Sequence, residues 1–135
     1  MATKVLDSWA LLAFFEDEPA AVEVEKLLAK ADHGTHKLLL CVVNWGEVYY
    51  NTIRKVSLEV AEQKAKDMAT MPIEIIPVES DLHLVRQAAR YKASGKLAYA
   101  DAFAAALAKL RNAELITGDP DFKAVEGEIK INWLK

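Results

Sequence analysis

Acidic side chains stand at four places where a short apolar segment ends or a helix is predicted to begin. They are Asp7, Glu47, Asp101 and the pair formed by Asp119 and Asp121. Helix capping, first-turn stabilisation by the helix dipole and turn formation can each explain single members of this set. Asp101 fits these explanations least well, because the segment around it is apolar on nearly all sides and buried carboxylates are rare unless they are paired or bind metal.

The elements that would position these acids alternate between strands and helices. Strands are predicted at residues 4–6, 37–43, 73–78, 114–117 and 129–133. Helices are predicted at residues 8–15, from Pro19 to about 31, from a cap at Asn44 to about 55, from a cap at Ser57 to about 68, from Ser80 or Asp81 to about 92, and at 99–111. The alternation predicts a parallel sheet with helices on both faces, in which ligands bind beyond the carboxyl ends of the strands.

The predicted sheet brings several acids to one edge, and this has an electrostatic consequence. Two carboxylates about 4 Å apart repel each other by roughly 4 kcal/mol at an effective dielectric constant near 20. A divalent cation removes this repulsion. Because the candidate ligands are oxygen atoms, without cysteine or histidine, they favour Mg²⁺ or Mn²⁺ over zinc.

Composition narrows the class of protein. The chain has 135 residues, of which 53% are hydrophobic and 27% are charged, so it is predicted to fold as a single domain spanning residues 1–135 rather than to be disordered. Its net charge of −3 excludes a generic basic nucleic-acid binder, although a local basic cluster or a bound cation would still allow such a ligand. The lone Cys41, the lack of a membrane span and the lack of a signal peptide favour a cytoplasmic protein.

Four segments occur in an order that is typical of one family. They are VLDS at 5–8, NWGEVYY at 44–50, AYADA at 98–102 and LITGDPDF at 115–122. Each segment alone is a weak signal, but the ordered set spans almost the whole chain. With this set the sequence resembles the PIN-domain ribonucleases, and more narrowly the VapC-type toxins of toxin–antitoxin pairs.

The resemblance implies a three-layer α/β/α fold with a short parallel sheet of four to five strands flanked by helices. It also implies an acidic pocket that holds Mg²⁺ or Mn²⁺ and hydrolyses single-stranded RNA. By motif, the metal-binding acids would be Asp7, Glu47, Asp101 and Asp119. In the mechanism that this implies, Asp7 and Asp101 hold the ion, and Asp119 either binds it directly or supports its ligands from the next layer. Glu47 either ligates the ion or accepts a proton from the attacking water. The additional pocket residues would be Asp121, Ser8, Thr117 and Asn44, the last standing where many relatives carry serine or threonine.

Large aromatic side chains near the first and third helices bear on partners. They are Trp9, Phe14, Phe15, Trp45, Tyr49 and Tyr50. A small core is not expected to bury all six, so some should remain on the surface and suit a homodimer or an antitoxin helix. The resemblance implies an antitoxin segment that binds along such a groove and blocks the acidic pocket.

Three other functions are compatible with parts of the pattern. A non-catalytic binding module of the same fold would use its acids only as caps, and it would gain no thermal stability from Mg²⁺ or Mn²⁺. A nuclease of similar fold that acts on DNA is a closer alternative. A receiver-like signalling domain is disfavoured, because the third predicted strand ends in Glu79, Ser80 and Asp81 rather than in a phosphoacceptor aspartate at a central strand.

Overall fold

The computed structural model describes residues 2–135, which form one parallel sheet flanked by helices. The strands are β1 (Ala2–Leu6), β2 (His36–Cys41), β3 (Ile73–Ile76), β4 (Glu114–Thr117) and β5 (Ile131–Trp133). The helices are α1 (Ser8–Phe15), α2 (Ala21–Asp32), α3 (Val42–Lys55), α4 (Leu58–Ala69), α5 (His83–Ser94) and α6 (Tyr99–Leu110), with a 3₁₀ helix at Pro120–Val125. The strand order is β3-β2-β1-β4-β5. The predicted α/β/α architecture with a short parallel sheet is therefore confirmed.

Each face of the sheet carries its own core. Val5, Leu39 and Leu115 pack with α5 and α6 on one face. Leu6 and Leu40, the next residues along β1 and β2, pack with α1 and α2 on the other. Successive side chains of a strand point to opposite faces, so a central strand that is covered on both sides is apolar throughout. The central position of β1 and β4 fixes where the acids that follow them lie.

Helix α6 is the most buried helix of the structure. Every residue from Asp101 to Ala108 is buried, and most of them are alanines, whose small side chains allow close packing against the sheet and α5. This confirms the prediction of a buried alanine-rich helix with a carboxylate in its first turn. Among the described residues, no helix is long and apolar enough to cross a membrane.

The junction between β2 and α3 differs from the prediction. The strand was expected to extend to residue 43 with Asn44 as the helix cap, but β2 ends at Cys41 and α3 begins at Val42. The apolar run continues from a buried strand into the first helical turn, so its length overstates that of the strand. Asn44 is consequently not a cap: it lies inside the first turn of α3 and is buried.

The segment between β3 and α5 also differs. β3 ends at Ile76 rather than at residue 78, since the following Pro77 lacks the N–H that a strand donates. Helix α5 begins at His83, after Leu82 turns the chain with a φ of 69°. Ser80 and Asp81 therefore precede the helix, although Asp81 Oδ1 accepts a hydrogen bond from the His83 N–H.

The remaining predicted boundaries are nearly correct. Asp7 caps α1 by accepting from the Ala10 N–H, and Ser57 caps α4 by accepting from the Val60 N–H, both as predicted. Leu58, the first residue of α4, is 57% exposed. Its position next to the cap places it at the first turn, where the helix has not yet reached the core. β5 begins at Ile131, and Pro19 precedes α2 instead of starting it.

Candidate metal centre

Three carboxylates converge beside the carboxyl ends of β1 and β4. Asp101 begins the buried part of α6, while Asp119 and Asp121 follow β4. One oxygen of each lies within 4.8 Å of the others, a spacing that could hold a metal ion. Asp101 is buried, Asp119 is partly buried and Asp121 is exposed, so the cluster opens towards solvent on the side of Asp121. From the sequence, Asp121 was predicted only as an additional pocket residue.

Asp7 lies outside the three-carboxylate cluster and is linked to it by a chain of hydrogen bonds. Its Oδ1 accepts from the Ala10 N–H at 2.9 Å, and its Oδ2 accepts from the Thr117 hydroxyl at 2.5 Å. Thr117 Oγ1 accepts from the Asp119 N–H at 3.0 Å, and Asp119 Oδ1 accepts from the Asp121 N–H at 2.9 Å. The ends of β1 and β4 are thereby held together by the side chains that would serve the site.

Burial and mutual repulsion make these acids reluctant to ionise. Burial raises the pKa of Asp7 to about 7, against the lowering effect of the bonds from Thr117 and Ala10, and the charges of Asp101 and Asp119 add to the rise. The pKa of Asp101 is also raised to about 7, first by burial and then by the charges of Glu47, Asp119 and Asp121. A divalent cation would favour the ionised forms of all of them. The donor set therefore fits Mg²⁺ or Mn²⁺.

Glu47 faces the cluster from α3 and is positioned by Asn44. The Asn44 amide donates to the Ala100 carbonyl at 3.0 Å and, at the longer distance of 3.4 Å, to Glu47 Oε1. These contacts connect the first turn of α3 to the start of α6, where Asp101 lies. Asn44 Oδ1 is buried and has no hydrogen-bond partner among residues 2–135. Glu47 is partly exposed and acts on Asp101 through its charge, outside the three-carboxylate cluster.

The two predicted hydroxyl residues differ in what they contact. Ser8 is buried at the first position of α1, next to Asp7. Thr117 is fully buried and links Asp7 to the Asp119 backbone. Two contacts were not predicted from the sequence: that of Ala100 with Asn44 and that of Gly118 with Trp9. Both join segments far apart in the chain, so no local pattern signals them.

Replacement of Thr117 by valine is expected to weaken both the fold and the site. It keeps the shape of the side chain, but it leaves the Asp119 N–H and Asp7 Oδ2 without their partner, at a cost of about 1–3 kcal/mol in the free energy of unfolding. Denaturant unfolding and Mn²⁺ calorimetry measure the two effects. Thr52→Val is the matched control, since the buried Thr52 hydroxyl bonds only within α3, to the Val48 carbonyl. Equal Mn²⁺ affinity in the two variants would contradict the role assigned to Thr117.

The comparison with protein families agrees with this geometry. The sequence profile of the PIN domain matches residues 4–128. The chain belongs to the PIN-domain family. The resemblance that the four ordered segments predicted is thus confirmed at the level of the family, and the acids of the cluster all lie within the matched PIN region. A search of curated proteins finds no match for the sequence.

Solved structures share this PIN fold at low sequence identity. The chain is similar to a chain of VapBC2 from Rickettsia felis, bound to a DNA fragment from its promoter, with a TM-score of 0.73, 16% identity and coverage of 98% of this chain and 99% of that one. It is also similar to a chain of VapBC-1 from nontypeable Haemophilus influenzae (TM-score 0.69, 18% identity, 97% of each chain). A third similar structure is VapC20 from Mycobacterium tuberculosis, described as a sarcin-ricin loop cleaving toxin (TM-score 0.69, 16% identity, 92% of this chain and 95% of that one). At these identities, the likeness establishes the fold.

Proposed function

We propose that this PIN domain is a Mg²⁺- or Mn²⁺-dependent endoribonuclease that cleaves single-stranded RNA, and that it is the toxin of a cytoplasmic toxin–antitoxin pair. The observation that carries the proposal is the convergence of Asp101, Asp119 and Asp121, with Asp7 bonded to the same turn. Membership of the PIN family and the likeness to VapC20, described as a sarcin-ricin loop cleaving toxin, support the reaction class.

In the proposed site, Asp7, Asp101 and Asp119 hold the divalent ion, and Asp121 contributes from the solvent side. The fit of these residues to such an ion rests on the 4.8 Å spacing of three carboxylates and on the raised pKa values of Asp7 and Asp101. When bound, the ion would supply positive charge against the phosphoryl group and lower the pKa of a water molecule. Because Asp121 is exposed, a phosphodiester would approach the ion from this side of the cluster.

Glu47 is proposed as the residue that accepts a proton from the attacking water. It is partly exposed, so solvent reaches it, and its charge acts on Asp101 across the pocket. The Asn44 amide orients it, and the same amide holds the start of α6 through Ala100. Attack would proceed in line with the leaving oxygen, and most of the rate enhancement would be electrostatic.

Cleavage of defined oligonucleotides tests the proposal directly. The purified protein is incubated with end-labelled single-stranded RNA that contains varied sequences, in Mg²⁺, in Mn²⁺ and in EDTA, and with DNA of the same sequences. We expect RNA cleavage that requires the metal, together with thermal stabilisation by Mn²⁺. Metal-dependent cleavage of DNA alone would favour the DNA nuclease. Absence of both cleavage and thermal stabilisation would favour the non-catalytic module.

The proposed partners are an antitoxin and a second copy of this chain. The exposed apolar side chains on α3 and at its junction with α4 support a protein partner, and they are Tyr50, Ile53, Val56 and Leu58. As predicted, the other five large rings are only partly buried. The similar VapBC structures are toxin–antitoxin assemblies. A small reading frame next to this gene, whose product co-purifies with the protein and suppresses its RNA cleavage, is the expected observation.

A further inference from the structure

We infer that Trp9 is a positioning residue for the metal-binding acids, acting through Gly118. The inference rests on the proposed metal site. Trp9 is the second residue of α1, the helix that Asp7 caps, and Gly118 stands between Thr117 and Asp119. The start of α1 therefore contacts the segment at the end of β4 at two points: the Asp7 carboxylate bonds to Thr117, and the Trp9 indole lies against Gly118.

The contact between the indole and Gly118 leaves no room for a side chain. A Cβ added to Gly118 would lie 2.5 Å from Trp9 Cζ3 and 2.6 Å from Cζ2, and closer still to Cη2. Non-bonded carbon atoms normally approach to about 3.5–4.0 Å. Three atoms of a rigid ring would have to move together, so the conflict cannot be relieved by rotating the end of a flexible chain. Either the indole or the backbone at Gly118 must shift.

Gly118 is needed here for space and not for its backbone conformation. Among the described residues, the glycine with a positive φ is Gly34, whereas Gly118 lies outside that region. A turn whose φ is not positive does not by itself require glycine at this position. The requirement comes from the indole that lies against the turn.

The turn that Trp9 contacts is the one that presents two of the clustered acids. Its backbone is fixed on one side by the bond from the Asp119 N–H to Thr117 Oγ1, and by the bond from the Leu134 N–H to the Thr117 carbonyl. Asp119 Oδ1 in turn accepts from the Asp121 N–H. The indole supplies the remaining constraint at Gly118, so a displacement there would move Asp119 and Asp121 relative to Asp101.

The inference is tested by calorimetry, which measures the Mn²⁺ affinity of the full chain and of three variants. The variants are Gly118→Ala, Trp9→Ala and the double variant. Gly118→Ala is expected to weaken Mn²⁺ binding by at least about 10-fold, the range seen when residues that orient ligands are replaced. Trp9→Ala should also weaken Mn²⁺ binding, but less than Gly118→Ala does, because it removes a support of the turn without introducing a clash. In the double variant the added methyl meets no indole, so the affinity should return to that of Trp9→Ala. Gly127→Ala is the matched control, because nothing lies within 4 Å of the added Cβ.

The outcomes separate this inference from the proposed function. If the wild-type protein binds no Mn²⁺, the proposed metal site fails. If the wild type binds Mn²⁺ and Gly118→Ala binds it equally well, the positioning role is overturned while the metal site stands. Should Gly118→Ala fail to fold, the remaining variants decide: wild-type Mn²⁺ affinity in Trp9→Ala, or a double variant that does not recover the fold, overturns the inference.

Discussion

An Asp101→Asn variant is expected to lose RNA cleavage by at least about 100-fold, because removal of one preorganised charge from such a site typically costs this much. Asparagine keeps the size of the side chain but binds a divalent cation far less well. Asp101 is the buried member of the carboxylate cluster and lies in the first turn of α6. The measurement is single-turnover cleavage of a labelled RNA at fixed Mn²⁺.

The same variant is expected to be more thermally stable than the wild type in EDTA at pH 8. There Asp101 is ionised next to Glu47, Asp119 and Asp121, and asparagine removes that repulsion. Loss of activity with a gain in stability distinguishes a site residue from a merely structural one. Asp67→Asn, on the exposed surface of α4, is the control that should change neither property. Wild-type cleavage by Asp101→Asn would refute the assignment of this acid.

Those features of the fold and site that depend on local pattern were predictable. The buried run around Asp101 is unusual enough in itself to indicate both a core helix and a carboxylate with a special role. The position of Asp7 after a short apolar strand correctly indicated that it caps a helix. The structure shows in addition that its second oxygen accepts a hydrogen bond from Thr117. Parallel strand order then brought the acids to a common edge, because the carboxyl ends of parallel strands share one side of the sheet.

Features that depend on contacts between distant segments were not predictable. Val42 and Val43 look like strand residues, but the chain has already entered α3, and this moves Asn44 from the cap into the buried turn where it meets Ala100. Hydropathy does not distinguish an apolar strand end from an apolar first helical turn. The close approach of Trp9 to Gly118 has no counterpart in the composition of either segment, since it is set by how α1 packs on the end of β4.

The stability of the metal-free protein is expected to fall as the pH rises from 5 to 8. Asp7 and Asp101 have pKa values of about 7 in the folded state, against an ordinary value of 3.8. Between these values the folded protein holds protons that the unfolded chain has released, so unfolding becomes easier with each increment of pH up to about 7 and levels off above it. One such group changes the free energy of unfolding by at most about 1.4 kcal/mol per pH unit.

Thermal unfolding in EDTA from pH 5 to pH 8 measures this dependence. We expect the Tm to fall by at least about 5 °C, because about 1 kcal/mol shifts the Tm of a domain of this size by several degrees. Asp101→Asn removes one of the two groups, so it should flatten the dependence of the Tm on pH. In the wild-type protein, addition of Mn²⁺ at pH 8 should reverse the fall in Tm, because the cation replaces the lost protons as the source of positive charge. If the Tm of the wild type and that of Asp101→Asn depended on pH in the same way, Asp101 would ionise normally. Burial and mutual repulsion of these acids would then not explain why the site binds a cation.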